Sequence, residues 1–180
     1  MSDLVPKLQS FVVLDSDGER LMSKYYDGRS KNLQSSYETT LHKKTRLVPA
    51  KAEVEVMLLD NELVVFRSGS DVKIFVSGPV EENELVLVSV LDCIYDTVNA
   101  LLRGQVEATT MLDNLELVLL TIDEVLDHGH IMELEPGNIV SRVLMKSSDG
   151  GAQTLQDVSI SQALGMATAQ LMKSVANDGR

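Results

Sequence analysis

Apolar residues in the first half of the chain fall in short runs separated by turn residues, whereas in the second half they recur at three-and-four spacing. The first two runs, SFVVLD and RLMSKYY, flank Asp17 and Gly18, a pair that tolerates the positive φ of a hairpin turn, so two paired strands are expected to open the fold. From Gly28 to Arg46 the chain turns polar, and Leu33, Tyr37 and Leu41, each four residues apart, predict one exposed amphipathic helix. VEVMLLD, ELVVFRS and DVKIFVS follow, divided by turns at Asp60–Asn61 and Ser68–Ser70, the pattern of an antiparallel meander. Leu63, Val64, Val65 and Phe66 run without alternation, which predicts a central strand covered on both faces.

A helix is predicted over Glu84 to Arg103, with Gly104 as its C-terminal cap. Ser89, Asp92, Asp96, Asn99 and Arg103 share a narrow polar stripe; Leu87, Leu91, Ile94, Val98 and Leu101, with Val86, Val90 and Cys93, cover most of the rest. Such a helix must be buried from two sides, one by its own sheet and the other by further helices or a partner. A second helix is expected from Val106 to His128, ended by Gly129, with Leu112, Leu115, Leu119, Ile122 and Leu126 on one face. A third, shorter helix begins at Pro136 and carries Ile139, Val140, Val143 and Leu144. The folded domain is thus expected over residues 1–146, with a linker rich in Ser, Asp and Gly over 147–156 and a tail helix over 157–180. The element order predicts an α+β fold, an antiparallel sheet covered by helices.

Charge narrows the range of partners. A net charge of −11 with no dense Lys/Arg cluster opposes direct binding to nucleic acid or to anionic lipid headgroups. Cys93 is the lone cysteine, so no internal disulfide forms and a reducing, cytosolic compartment is expected. The apolar region Leu85 to Leu102 is interrupted by Asp92, Asp96 and Asn99, whereas a membrane span needs about 20 apolar residues with few charges.

Candidate chemistry is sparse. His128 and His130 in DHGH have the alternation of a metal pair but lack an obvious third ligand, and Gly129 makes a helix C-terminus the simpler setting. Asp123, Glu124 and Asp127 alternate with core leucines, as on a solvated helix face. Cys93 lacks an electropositive setting and is expected to be a buried structural thiol. No nucleotide-loop or hydrolase motif occurs, so no catalytic residue, cofactor site or metal site is assigned and enzymatic function is not expected. Tyr25 and Tyr26 are adjacent on a strand and point to opposite faces; an exposed tyrosine there would suit a protein interface.

The segments LDSDGERLMSKYYD, ENELVLVSVLDCIYDTVNALLR and LDNLELVLLTIDEVLDHGHIME, in that order, resemble the zeta subunits of coatomer, and KYYD with the ENEL helix opening carries most of the likeness. More distantly the layout is similar to clathrin-adaptor small sigma subunits and to longin domains. The resemblance implies a longin-like fold, a five-stranded antiparallel sheet flanked by helices on both faces. It implies a non-enzymatic COPI coat subunit that binds the N-terminal solenoid of the gamma coatomer subunit directly and the remaining coatomer subunits within the coat. Contact with an Arf GTPase would be indirect, and the membrane would be met peripherally through the complex, in the cytoplasm, on Golgi membranes and COPI-coated vesicles. The work would be retrograde Golgi-to-endoplasmic-reticulum and intra-Golgi transport.

Under that reading the expected interface is Tyr25, Tyr26, Leu87, Val90, Leu91, Ile94, Tyr95 and Val98, the apolar arc of the long helix with the tyrosine pair. Where sigma chains carry aromatic and basic residues before the third meander strand, FRSGSDVKIF offers only Arg67 and Lys73, so a cargo-signal site is not implied. The alternative is a free longin-type regulatory module or a sigma-like subunit of another trafficking complex.

Overall fold

Strand β1 (Ser10–Asp15) lies between β2 (Arg20–Tyr25) and β5 (Val72–Pro79), and β4 (Glu62–Ser68) and β3 (Glu55–Leu59) follow on the far side of β5. A computed structural model describes residues 6–49 and 53–149, and all pairings within this five-stranded sheet are antiparallel. The opening hairpin and the meander form as their alternation predicts. The unbroken run in β4 does have both faces covered, with Val64, Val65 and Phe66 buried, yet the middle of the sheet is β5.

Helix α1 (Lys31–Thr45) packs on one face. Tyr37 and Leu41 meet Val12, Leu14, Val64, Phe66 and Phe75 there, while Leu33 stays 61% exposed and Glu38 is buried instead. Lys73 holds the C-terminal end of this helix, its Nζ donating to the carbonyl oxygens of Thr45 at 2.6 Å and Val48 at 3.4 Å, where a cation complements the helix dipole.

Helix α2 (Glu84–Leu101) covers β4 and β5 on the opposite face. Asn83 caps its start, with Oδ1 accepting from the Leu85 N–H at 2.9 Å. Arg103 and Gly104 close its end in the left-handed region, and the Gly104 N–H reaches the Asn99 carbonyl at 2.8 Å, the C-terminal stop expected of that glycine. Its second covering comes from within the chain: Val118, Ile122 and Val125 of α4 (Leu115–Val125), with Ile139 and Val143 of α5 (Pro136–Asp149), join Leu87, Leu91 and Ile94 in one core.

The predicted helix over Val106 to His128 is instead two helices and a hairpin. Helix α3 (Ala108–Asp113) ends at Asn114, whose side-chain amide donates to the Thr110 carbonyl at 2.9 Å and whose ψ of 31° leaves the helical region. Helix α4 then stops at Val125, and β6 (Leu126–Asp127) pairs with β7 (His130–Ile131) around His128 and Gly129, both at positive φ. DHGH is therefore a hairpin turn rather than a helix end.

That turn fastens the N-terminal segment, because the Leu8 N–H donates to the Gly129 carbonyl at 2.8 Å and Lys7 bridges to His130. A Cβ on residue 129 would lie 2.5 Å from the Leu8 carbonyl oxygen, at a φ of +83°. Gly129→Ala is accordingly expected to cost about 2 kcal/mol or more, from left-handed strain plus the clash, read as a lower urea midpoint with an unchanged slope.

The residues up to Met145 form one unit, and the chain from Lys146 onward is a second. Helix α5 carries to Asp149; the remaining residues assigned to a linker and the tail helix over 157–180 lie outside the described residues. Among the described residues no helix is long and apolar enough to cross a membrane. Burial dominates the energetics: each fully buried Leu, Ile or Phe side chain is worth about 1.5–3 kcal/mol, whereas an exposed ion pair such as Lys24 with Asp123 is worth about 0–1 kcal/mol.

Candidate partner-binding surface

The loop leaving β2 returns over the α1 face of the sheet and brings Arg29 between two rings. Its guanidinium carbon lies 4.5 Å from the Tyr37 ring centroid and 5.2 Å from that of Tyr25. Arg29 Nη2 also sits 2.5 Å from Asp27 Oδ2 and 2.5 Å from Glu62 Oε1, so one cation ties the loop to β4. Burial pushes the Asp27 carboxyl up, but hydrogen bonds from the Arg29 side chain and backbone outweigh it and hold the group below the usual carboxylate range.

Tyr25 belongs to the same layer. Its hydroxyl donates to Glu38 Oε1 at 2.6 Å, and the Arg20 Nε–H reaches the other Glu38 oxygen at 2.9 Å. Burial, then the Glu38 carboxylate, raises the Tyr25 phenol far above its ordinary range. A hydroxyl so committed holds α1 to the sheet. Tyr26 is on the opposite face, as strand alternation requires, half-buried beside the Gly129 turn. Burial, with Asp123 and Asp127 adding, pushes its phenol up to about 12. Both tyrosines are half-buried, so neither is the freely exposed ring that an interface tyrosine would be.

On α2 the structure separates the expected interface residues. Leu87, Val90, Leu91, Ile94 and Val98 are at 0% exposure, enclosed by the sheet and the neighbouring helices of the same chain. They do not come to one surface with the tyrosine pair. The apolar arc that suggested an external partner is filled from within. Tyr95, by contrast, stands half-exposed on the flank of α2, with Arg67 of β4 stacked 3.8 Å from its ring centroid. Arg67 Nη1 is 2.9 Å from Asp92 Oδ1 and 3.6 Å from Asp96 Oδ1. The outward part of α2 is Glu84, Leu85, Ser89, Asp96 and Ala100, with Asp92, Tyr95 and Asn99 among its half-buried margins. Arg67 and Lys73 of FRSGSDVKIF thus both have internal partners.

The candidate chemical groups are dispersed. His128 is exposed in its turn and pairs with Asp127 at 2.5 Å, while Asp123 pairs with Lys24 and Glu124 with Arg142. Among the described residues no three of His, Cys, Asp and Glu are placed to hold a metal ion. Cys93 is buried, and burial pushes its thiol up to about 11, so the reactive thiolate is scarce at neutral pH. What the geometry offers is a packed domain with three distinct surfaces: the α2 flank, the sheet edge at β3, unpaired among the described residues, and the half-buried Tyr26 region.

Comparison with known proteins gives a consistent result. Residues 7–149 match the family model described as clathrin adaptor complex small chain. Coatomer subunit zeta-1 of Arabidopsis thaliana is 39% identical over 175 residues, covering 96% of this chain and 98% of that protein. Coatomer subunit zeta-1 of Homo sapiens is 34% identical over 170 residues, covering 93% of this chain and 92% of its own length. Among structures, a chain of a homology model of the full-length AP-3 complex in a stretched open conformation superposes with a TM-score of 0.62 at 11% identity, covering 79% of this chain and 96% of that one. The last likeness is one of fold.

Proposed function

This chain belongs to the clathrin adaptor complex small chain family and, within it, to the coatomer zeta subunits, and from that premise we propose that it is a COPI coat component whose work is binding. The observation that carries the reading is the extent of the likeness: the zeta relatives match over more than nine-tenths of both lengths. Its direct partner is the N-terminal solenoid of the gamma coatomer subunit, and through it the remaining coatomer subunits. An Arf GTPase and the Golgi membrane are met only through the assembled coat, during Golgi-to-endoplasmic-reticulum and intra-Golgi transport.

A domain with its core complete beneath α2 supports such a role, since it presents fixed surfaces and pays little ordering entropy on association. Of the residues first expected at the interface, Tyr25, Tyr26 and Tyr95 keep part of their surface while the aliphatic arc is buried, and the reading favours a contact that includes the Tyr95 flank of α2. Co-expression with the gamma solenoid, followed by size-exclusion chromatography with light scattering, tests the reading. A one-to-one complex is expected. Separate elution of two folded proteins would end it.

A further inference from the structure

Strand β3 is an outer strand, and among the described residues no strand pairs with its free side. An open edge offers unpaired N–H and C=O groups to an approaching chain, and native proteins commonly guard such edges with charge, Pro or a covering loop. On β3 the solvent-facing pair is apolar instead: Val56 is 45% exposed and Leu58 60%. Their register partners Val65 and Leu63 belong to the α2 side of the sheet, which places Val56 and Leu58 on that face. Helix α2 lies over β4 and β5 and leaves β3 beyond its flank. That flank carries half-buried Val88 and Tyr95, the latter stacked on Arg67 of β4, and Leu85 stands 67% exposed in the first turn.

The surroundings are anionic. Glu53 precedes β3 and Asp60 follows it; Glu81 stands in the turn that leads from β5 into α2 and Glu84 opens α2, at the end of the sheet where Glu62 pairs with Pro79. All four carboxylates are exposed, and none has a cationic partner among the described residues. The apolar shelf is therefore bracketed by negative charge at both ends of an open strand.

We propose that the β3 edge is a strand-addition site for an extended segment of a partner protein, with two apolar side chains at alternate positions and a Lys or Arg at each end. Main-chain hydrogen bonds to the edge would supply affinity, and the shelf of Val56 and Leu58 would select the alternating side chains. Strand β3 itself, Glu55–Leu59, spans about 13 Å, so a segment of about seven residues extends one residue past each end and carries its terminal cations towards the acidic groups there. A second copy of the chain would set these same carboxylates against each other on a protein of net charge −11, which argues against an edge-to-edge dimer. The inference goes beyond the solenoid contact, and its test does not use the gamma subunit, so either can fail alone.

The experiment titrates the full chain into a fluorescently labelled seven-residue peptide with lysine at both ends and valine and leucine at alternate central positions, followed by anisotropy. Saturable binding is expected, falling at least tenfold for Leu58→Asp, for Glu53→Lys combined with Glu81→Lys, and for the same peptide N-methylated at alternate residues. Circular dichroism melts confirm that each variant is folded; the charge-reversed variant changes only exposed positions and stands in if Leu58→Asp unfolds. Undiminished binding of the N-methylated peptide, or of the charge-reversed variant, overturns the proposal. So does absence of saturable binding, or a self-association that Leu58→Asp abolishes, which would make a second copy the occupant.

Discussion

Truncation of Ile94 to alanine is expected to lower the stability of the isolated chain by about 2–5 kcal/mol, the range for buried aliphatic truncations that leave a cavity. Ile94 sits at 0% exposure between the sheet and the neighbouring helices, so removing its outer carbons forfeits contacts on both sides. Tyr95→Ala is the informative comparison, because its side chain lies on the half-exposed flank and is stacked by Arg67. That substitution is expected to cost about 1 kcal/mol through lost cation–π contact and partial burial. Urea denaturation of both variants, paired with gamma-solenoid binding under folding conditions, separates the roles. Ile94→Ala should bind normally whenever it is folded, whereas Tyr95→Ala should keep the fold and lose affinity. A stable, non-binding Ile94→Ala protein would return the aliphatic arc to the interface.

Arg29→Ala is expected to destabilise the chain by about 3 kcal/mol, near the lower end of the cost of breaking a buried ion pair. The Arg29 side chain is 11% exposed, and its loss strands the Glu62 side chain, 16% exposed. Glu62 Oε2 is already buried without a partner, so the remaining charge has little to fall back on. Arg29→Lys should recover only part of the loss, since an ammonium lacks the planar fork that reaches Asp27 and Glu62 together while the guanidinium carbon stays within 5.2 Å of both tyrosine rings. Urea midpoints for the three proteins measure both effects; a midpoint for Arg29→Ala equal to that of the parent would show the cluster to be energetically idle.

Much of this architecture was readable from residue order. The hairpin turn at Asp17–Gly18, the meander with its Asp60–Asn61 turn and the α2 helix opening at Glu84 each form where expected, and α2 ends at Leu101, two residues short of the expected Arg103, with Gly104 at positive φ just beyond. The break at Asn114 was hidden because Leu112 and Leu115 continue the three-and-four spacing across it, and spacing alone does not reveal where backbone leaves the helix. The DHGH turn was misplaced for a related reason: a glycine at positive φ ends a helix or turns a hairpin, and the pairing of Leu126 with Ile131 decides between them.

Surface assignment was the less legible part. Counting apolar positions on α2 showed that two coverings were needed, but whether the second came from α4 or from another protein depended on tertiary placement. The Arg29 cluster left almost no trace in sequence, since Asp27 is a near neighbour while Glu62 and Tyr37 arrive from other elements. The β3 edge was visible as a strand, but the exposure of Val56 and Leu58 follows from the sheet order, which periodicity does not supply.

The position of β1 between β2 and β5 has a consequence for synthesis. Val12 and Val13 leave the ribosome with β2 close behind, but their other neighbour, β5, begins only at Val72. At about 5–20 residues per second, the interval between the end of β1 and the start of β5 is roughly 3–11 s. Throughout it the nascent hairpin carries an apolar strand with one side unpaired, the condition under which strands join the wrong neighbour. The order of the strands thus leaves one side of β1 unpaired until the meander has been made, whatever partner the finished subunit later meets.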